Sequence, residues 1–257
     1  MKLYSCLLLA LASVVTSSLT AATYTFDTAA DYTSNFTAGF TPGTSIAWSN
    51  TSPYGNHVAK FDAATNSGYS ILNSAAAGTS YTLKADVAFN GAFTATSSSF
   101  GFLTNIGTNN GYTAVFRFTG ANTADFRVFE GTSATTGAIG TQVNSLQTFT
   151  LGGPATWSNT TYYTLNLDVL NTGSSISFTG SILTTGGTVL GTFGTYTETT
   201  PLSVSNTIVG FRMGVNSQET VRMDNFSVTA IPEPSTYALI GGAGVLGLAL
   251  CTRRKRA

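Results

Sequence analysis

From Tyr81 to Phe89 the chain alternates strictly. Tyr81, Leu83, Ala85, Val87 and Phe89 fall on one face, and Thr82, Lys84 and Asp86 on the other. Successive side chains of a strand point to opposite faces, so this period of two predicts a half-buried strand. Tyr112, Ala114, Phe116 and Phe118 repeat the pattern, with Thr113 and Arg117 opposite. Phe126-Arg127-Val128-Phe129 follows after a Gly/Asn turn. Tyr163, Leu165, Leu167 and Val169 alternate against Thr164, Asn166 and Asp168; Asn171-Thr172-Gly173 then predicts a hairpin turn into Ile176, Phe178, Gly180 and Ile182. Segments 209–215 and 221–228 close the series. No window before residue 235 carries a 3.6-residue apolar period, so no helix is expected in the body of the chain. Regularly spaced short strands with Gly, Ser, Thr and Asn turns predict an all-β sandwich or jelly roll.

The two ends break the pattern. Met1-Lys2, the apolar run from Leu3 to Val15 and the small residues to Ala22 have the order of a secretory signal peptide, with cleavage expected after Ala21 or Ala22. Residues 231–257 fall into three parts: Pro232-Glu233-Pro234, an apolar glycine-rich run from Tyr237 to Cys251, and Arg253-Arg254-Lys255-Arg256. The prolines lack amide donors and fix φ, so neither strand nor helix continues through them. The uncharged run reads as a membrane-seeking helix and the basic cluster as its cytoplasmic stop. At ~1.5 Å per residue it reaches only about 22 Å, short against a hydrocarbon core of ~30 Å. Gly241, Gly242, Gly244 and Gly247 would let another membrane helix approach closely.

Between these ends, residues 23–230 make one domain by length. Cys6 and Cys251 both lie in the end segments, so the domain has no disulfide and depends on its own core. It retains 6 basic and 10 acidic side chains, a net charge near −4. That balance argues against nucleic acid or anionic lipid as its partner. Only 9% of the chain is charged, a composition poor in catalytic groups.

The tripartite tail, with Pro232-Glu233-Pro234-Ser235-Thr236 at its head, resembles the PEP-CTERM sorting signal. That resemblance implies recognition by an exosortase-type membrane protease, transient anchoring by the C-terminal helix, and delivery to the cell surface or extracellular matrix. The domain in turn resembles the concanavalin A-like, laminin G-like jelly roll. It does so in Phe100-Gly101-Phe102-Leu103, Gly111-Tyr112, the strand Tyr162–Val169, Gly210-Phe211-Arg212 and Asp224-Asn225-Phe226-Ser227-Val228. This fold is shared by lectins, glucanases and many surface proteins.

Candidate chemistry is sparse. The Glu-x-Asp-x-x-Glu strand that the glucanase resemblance would require is absent. Asp125 and Glu130 are five apart and point to opposite faces of a strand. Asp86 stands alone beside Lys84, and His57 is the single histidine, so no His-based metal cluster or acid–base pair is available. Two candidate sites remain. Asp224 shares strand parity with Phe226 and Val228, which places it on the buried face; there it needs a hydrogen bond, a cation such as Arg212 or Arg222, or a calcium ion shared with Asp27 of the opening strand. Trp48, Tyr54 and Trp157 lie in loop-like stretches where ring faces can stack on sugars or, as readily, pack over the rim of the sandwich. The expectation is an exported surface or matrix protein, not an enzyme, whose sandwich is structural or binds carbohydrate such as exopolysaccharide. The alternative is a glycan-active enzyme whose catalytic residues match no known pattern.

Overall fold

The structure, a computed structural model, describes residues 21–40, 46–50, 58–61, 65–73, 80–90, 98–104, 111–132, 139–151, 157, 161–202, 208–216 and 220–231. The expected signal peptide through Thr20, the Pro-Glu-Pro tripeptide, the apolar run and the basic cluster lie outside the described residues, as do Tyr54 and His57. Among the described residues no helix is long and apolar enough to cross a membrane.

Two antiparallel sheets face each other. The nine-stranded sheet runs β14 (Val189–Thr192), β13 (Ile176–Thr184), β12 (Tyr163–Asn171), β6 (Tyr81–Asn90), β17 (Thr220–Ala230), β4 (Val58–Phe61) and β3 (Ala47–Ser49); β1 (Ala21–Tyr24) pairs with β17 and β15 (Tyr196–Glu198) with β13. The eight-stranded sheet runs β10 (Thr141–Gln142), β9 (Thr123–Thr132), β8 (Gly111–Gly120), β7 (Ser98–Thr104), β16 (Gly210–Asn216), β5 (Thr65–Leu72) and β2 (Phe36–Phe40), with β11 (Gln147–Thr150) also on β9. Each alternation read from the sequence is a strand here. The hairpin turn holds as well: Gly173 has φ 84° and its N–H donates to Asn171 Oδ1 at 2.9 Å.

The apolar faces meet in one aromatic core. Leu83, Ala85, Val87, Leu165, Leu167, Phe178 and Ile182 of one sheet are buried against Phe100, Phe102, Phe116, Phe126, Phe211 and Met213 of the other. Gly180 occupies a core-facing position of β13 for a steric reason. A Cβ there would stand 2.6 Å from Phe126 Cε2 and 3.1 Å from Phe116 Cζ, closer than packed carbon atoms tolerate.

Among the described residues one helix interrupts the all-β pattern. α1 (Ala29–Asn35) starts in a capping box, with Asp31 N–H donating to Thr28 Oγ1 at 3.2 Å and Thr28 N–H to Asp31 Oδ2 at 2.8 Å. Seven residues are too few to show a helical period, and the helix buries just Tyr32. The Thr-x-x-Asp spacing was its one visible signal.

The opening and closing strands are neighbours. β1 pairs antiparallel with β17, Ala21 against Thr229 and Tyr24 against Phe226. Ala21 and Ala230 therefore lie at the same end of the sandwich.

Candidate functional site

The structure redistributes the candidates drawn from the sequence. Asp224 does not share the core face with Phe226 and Val228. The register of β17 on β6 shifts between Asp224 and Ser227, and Asn225 sits in the left-handed region at φ 51°. This bulge inserts one residue, so Phe226 and Val228 are buried while Asp224 is half-buried on the outer face. Its Oδ1 accepts the N–H of Asn225 at 2.7 Å. Asp27 lies beyond the end of β1, exposed, and its Oδ2 accepts the hydroxyl of Thr25 at 2.6 Å. Among the described residues no three His, Cys, Asp or Glu side chains come together to hold a metal ion.

Trp157 is buried and Trp48 is half-buried. Trp157 is 4% exposed, wedged edge-on against Phe118 and Tyr163, and its indole N–H donates to Thr123 O at 3.2 Å. Trp48 packs on the core, with its indole N–H donated to Phe26 O at 2.7 Å. Both indoles reach a backbone acceptor while their rings bury apolar area, which is the rim-packing alternative.

On the outer face of the nine-stranded sheet, Asp86 is not alone. It lies opposite Asp224 and Thr164, and accepts from Thr164 Oγ1 and, at 2.9 Å, from Asn225 Nδ2. Arg222, Lys60 and Lys84 occupy outward positions with Asp86, Asp168 and Asp224. Burial raises the pKa of Tyr162 here, against the lowering pull of the Arg222 guanidinium. Among the described residues three cations share this face with three carboxylates.

The outer face of the eight-stranded sheet is different. The registers align Thr148, Asp125, Arg117, Ser99, Gly214 and Ser67 in one row across the strands, and Arg127, Val115, Gly101, Arg212 and Tyr69 in the next. Asp125, only 4% exposed, is held from three sides: Arg117 Nη2 at 3.0 Å, Arg127 Nη2 at 3.3 Å and Thr148 Oγ1 at 3.1 Å. The two guanidinium groups outnumber it, and the Nε atoms of both are buried without a hydrogen-bond partner. Two strands away Arg212 donates through Nη2 to Ser67 Oγ, and its Nη1 lies 3.7 Å from where a Cβ on Gly214 would be. That contact is an ordinary one; the close approach at 214 would be to Ser99 Oγ, at 2.7 Å. Burial lowers the Arg212 pKa to about 10, so it is still a cation at neutral pH.

On β7, between these two cationic poles, Ser99 and Gly101 carry little bulk, and the space a Cβ on Gly101 would take is filled by Thr113 and Val115 at 3.1 and 3.3 Å. Gly101, Leu103, Thr113 and Val115 are buried although they point away from the core. The result is a sheltered strip on which, among the described residues, three guanidinium groups stand against one carboxylate. Planar guanidinium forks of this kind suit oxyanions, which they grip through paired N–H donors. The sequence hinted at the strip only through parity, because Arg117 alternates against the core residues of β8. Nothing in one strand says that Arg127, Asp125 and Arg212 share its face.

With this geometry in hand, comparison with known proteins decides the tail and the fold. Residues 230–255 match the PEP-CTERM protein-sorting motif. The chain carries a PEP-CTERM tail. The PEP-CTERM motif marks an exported protein, processed by an exosortase and sorted through the membrane to the cell surface. No curated protein matches the chain. Solved structures do. A legume lectin-like domain from Entamoeba histolytica superposes with a TM-score of 0.53 at 9% identity, over 82% of this chain and 97% of that one. The metal-free carbohydrate recognition domain of Emp46p gives 0.51 at 10%, over 82% and 95%. An endo-1,3-beta-glucanase from Streptomyces sioyaensis gives 0.51 at 10%, over 84% and 97%. At such identities the likeness establishes the fold: the PEP-CTERM protein has a lectin-like, concanavalin A-like jelly roll.

Proposed function

We propose that this chain is a non-catalytic, carbohydrate-binding protein of the cell surface or extracellular matrix. Its signal peptide exports it, and its apolar tail helix anchors it until an exosortase-type protease processes the Pro-Glu-Pro region. The observation that carries the carbohydrate reading is the sheltered polar strip on the eight-stranded sheet, set in a fold shared with lectin-like domains. Hydrogen-bonding donors fixed on a sheet face suit a polyhydroxylated chain lying across the strands. β1 begins beside the end of β17, so Ala21 and Ala230 lie at one end of the sandwich. A domain tethered there would stand with one end toward the membrane and its outer sheet faces clear of it.

Support for a non-catalytic role comes from Asp125. Retaining hydrolysis uses two carboxyl groups ~5 Å apart with opposed protonation states. Among the described residues the outward face of the eight-stranded sheet carries Asp125 as its one carboxylate, and two arginines hold it. Affinity electrophoresis against a panel of soluble polysaccharides, with reducing-sugar release measured on the same panel, tests both halves. Retardation without sugar release is the expected result. Release would replace the binding role by a hydrolytic one, and no retardation in any gel would leave a purely structural domain.

A further inference from the structure

We infer that the ligand of this strip is an acidic polysaccharide, whose carboxylates meet the Arg117–Arg127 pair at one pole and Arg212 at the other. This deepens the carbohydrate-binding proposal and rests on it. Three observations point the same way. The first is local charge: among the described residues three guanidinium groups and one carboxylate share this face, whereas the opposite outer face carries three cations and three carboxylates. A domain with a net charge near −4 therefore gathers half of its six basic side chains on one sheet face.

The second is exposure. Although both arginines hold Asp125, the Arg117 side chain is still 35% exposed and the Arg127 side chain 21%. An oxyanion arriving beside Asp125 would meet the solvent-facing part of these guanidinium groups. The third is spacing. β8 and β16 are separated by β7 alone, so the two poles stand about two strand spacings, roughly 10 Å, apart. Ser99 and Gly101, which lie on β7 between them, carry no long side chain to separate a ligand from the poles. The negative domain repels a polyanion at long range, so recognition is carried by short-range guanidinium–carboxylate pairing and not by steering.

The test uses the full-length chain in mild detergent, run through native gels containing polygalacturonate, dextran or no polymer. Retardation by polygalacturonate and none by dextran is the expected result. Arg117→Gln should weaken polygalacturonate binding about tenfold, as one charge-assisted contact is lost. Lys84→Gln, which removes the same charge from the exposed opposite face, should leave it unchanged. Arg127→Gln gives an independent reading should Arg117→Gln fail to fold, because Asp125 then keeps Arg117 and Thr148 as partners. Equal losses from Lys84→Gln and Arg117→Gln would reduce the effect to overall charge and overturn the site. Binding of dextran and polygalacturonate alike, untouched by either arginine substitution, would overturn the acidic ligand and leave carbohydrate binding standing. Failure to bind any polysaccharide, neutral or acidic, would remove the carbohydrate reading itself.

Discussion

Asp224 and Phe226 are two residues apart on β17 yet face opposite sides of the sheet, because Asn225 is inserted between them as a bulge. The bulge turns Asp224 out beside Asp86 and Phe226 into the aromatic core, where it meets Phe36 and Phe211. Asn225 serves the bulge twice: it adopts φ 51° and its Nδ2 donates to Asp86. Asn225→Ala keeps the left-handed strain and loses the bond, and should destabilise the domain by about 1–3 kcal/mol. Asn225→Gly removes the strain and should lose less. Urea denaturation orders the three; an alanine variant as stable as the parent would show that the bulge does not depend on this side chain.

Gly180 and Phe126 make a second sensitive pair across the two sheets. A methyl group at 180 has no space beside the Phe126 ring. Gly180→Ala should lower stability by about 1–3 kcal/mol through overpacking. Phe126→Leu in the same chain should recover part of that loss, since it withdraws the obstructing ring. No recovery would place the strain elsewhere.

Alkaline stability follows from the buried phenols. Burial raises Tyr32 from its ordinary value near 10 to about 12, with the Ser70 hydrogen bond pulling weakly the other way. Burial raises Tyr112, Tyr162, Tyr163 and Tyr196 as well. A group with a raised folded pKa contributes fully below its unfolded pKa and loses that contribution as pH rises through the folded one. Stability should therefore hold to about pH 10 and fall between roughly pH 10 and 12. Arg212 has the opposite sign over this range, because burial lowers its pKa from 12.5 to about 10. One such group does not offset five tyrosines. Tyr32→Phe should make the fall shallower in urea midpoints measured across that window; an unchanged slope would exclude Tyr32 as a contributor.

The tail makes the remaining prediction. If Pro232, Glu233 and Pro234 form the recognition element, replacing all three by alanine should leave full-length protein in the membrane fraction. Immunoblots over a pulse-chase check it. Processing at the parental rate would move recognition to the apolar run or the basic cluster.

What the sequence determined by itself is whatever depends on local order. Period-two alternation in 81–89, 112–118 and 163–169 specified strands, because a strand repeats every two residues whatever its neighbours are. The tripartite end, Pro-Glu-Pro, apolar run and basic cluster, was legible for the same reason: it is a linear signal, and the sorting-motif match covers residues 230–255. Tertiary structure alone decided what parity could not carry. One bulge at Asn225 reversed the parity argument for Asp224, and a register shift of this kind comes from pairing with β6 and not from β17 itself. Trp48 and Trp157 lay in loop-like sequence, yet backbone acceptors at Phe26 and Thr123 drew both indoles in. The arginine strip needed the order of five strands, β9, β8, β7, β16 and β5, in which β16 and β5 lie far from β7 in sequence or on its other side. Charges from distant segments become one site only when the sheet sets them a few ångströms apart, and that adjacency belongs to the fold.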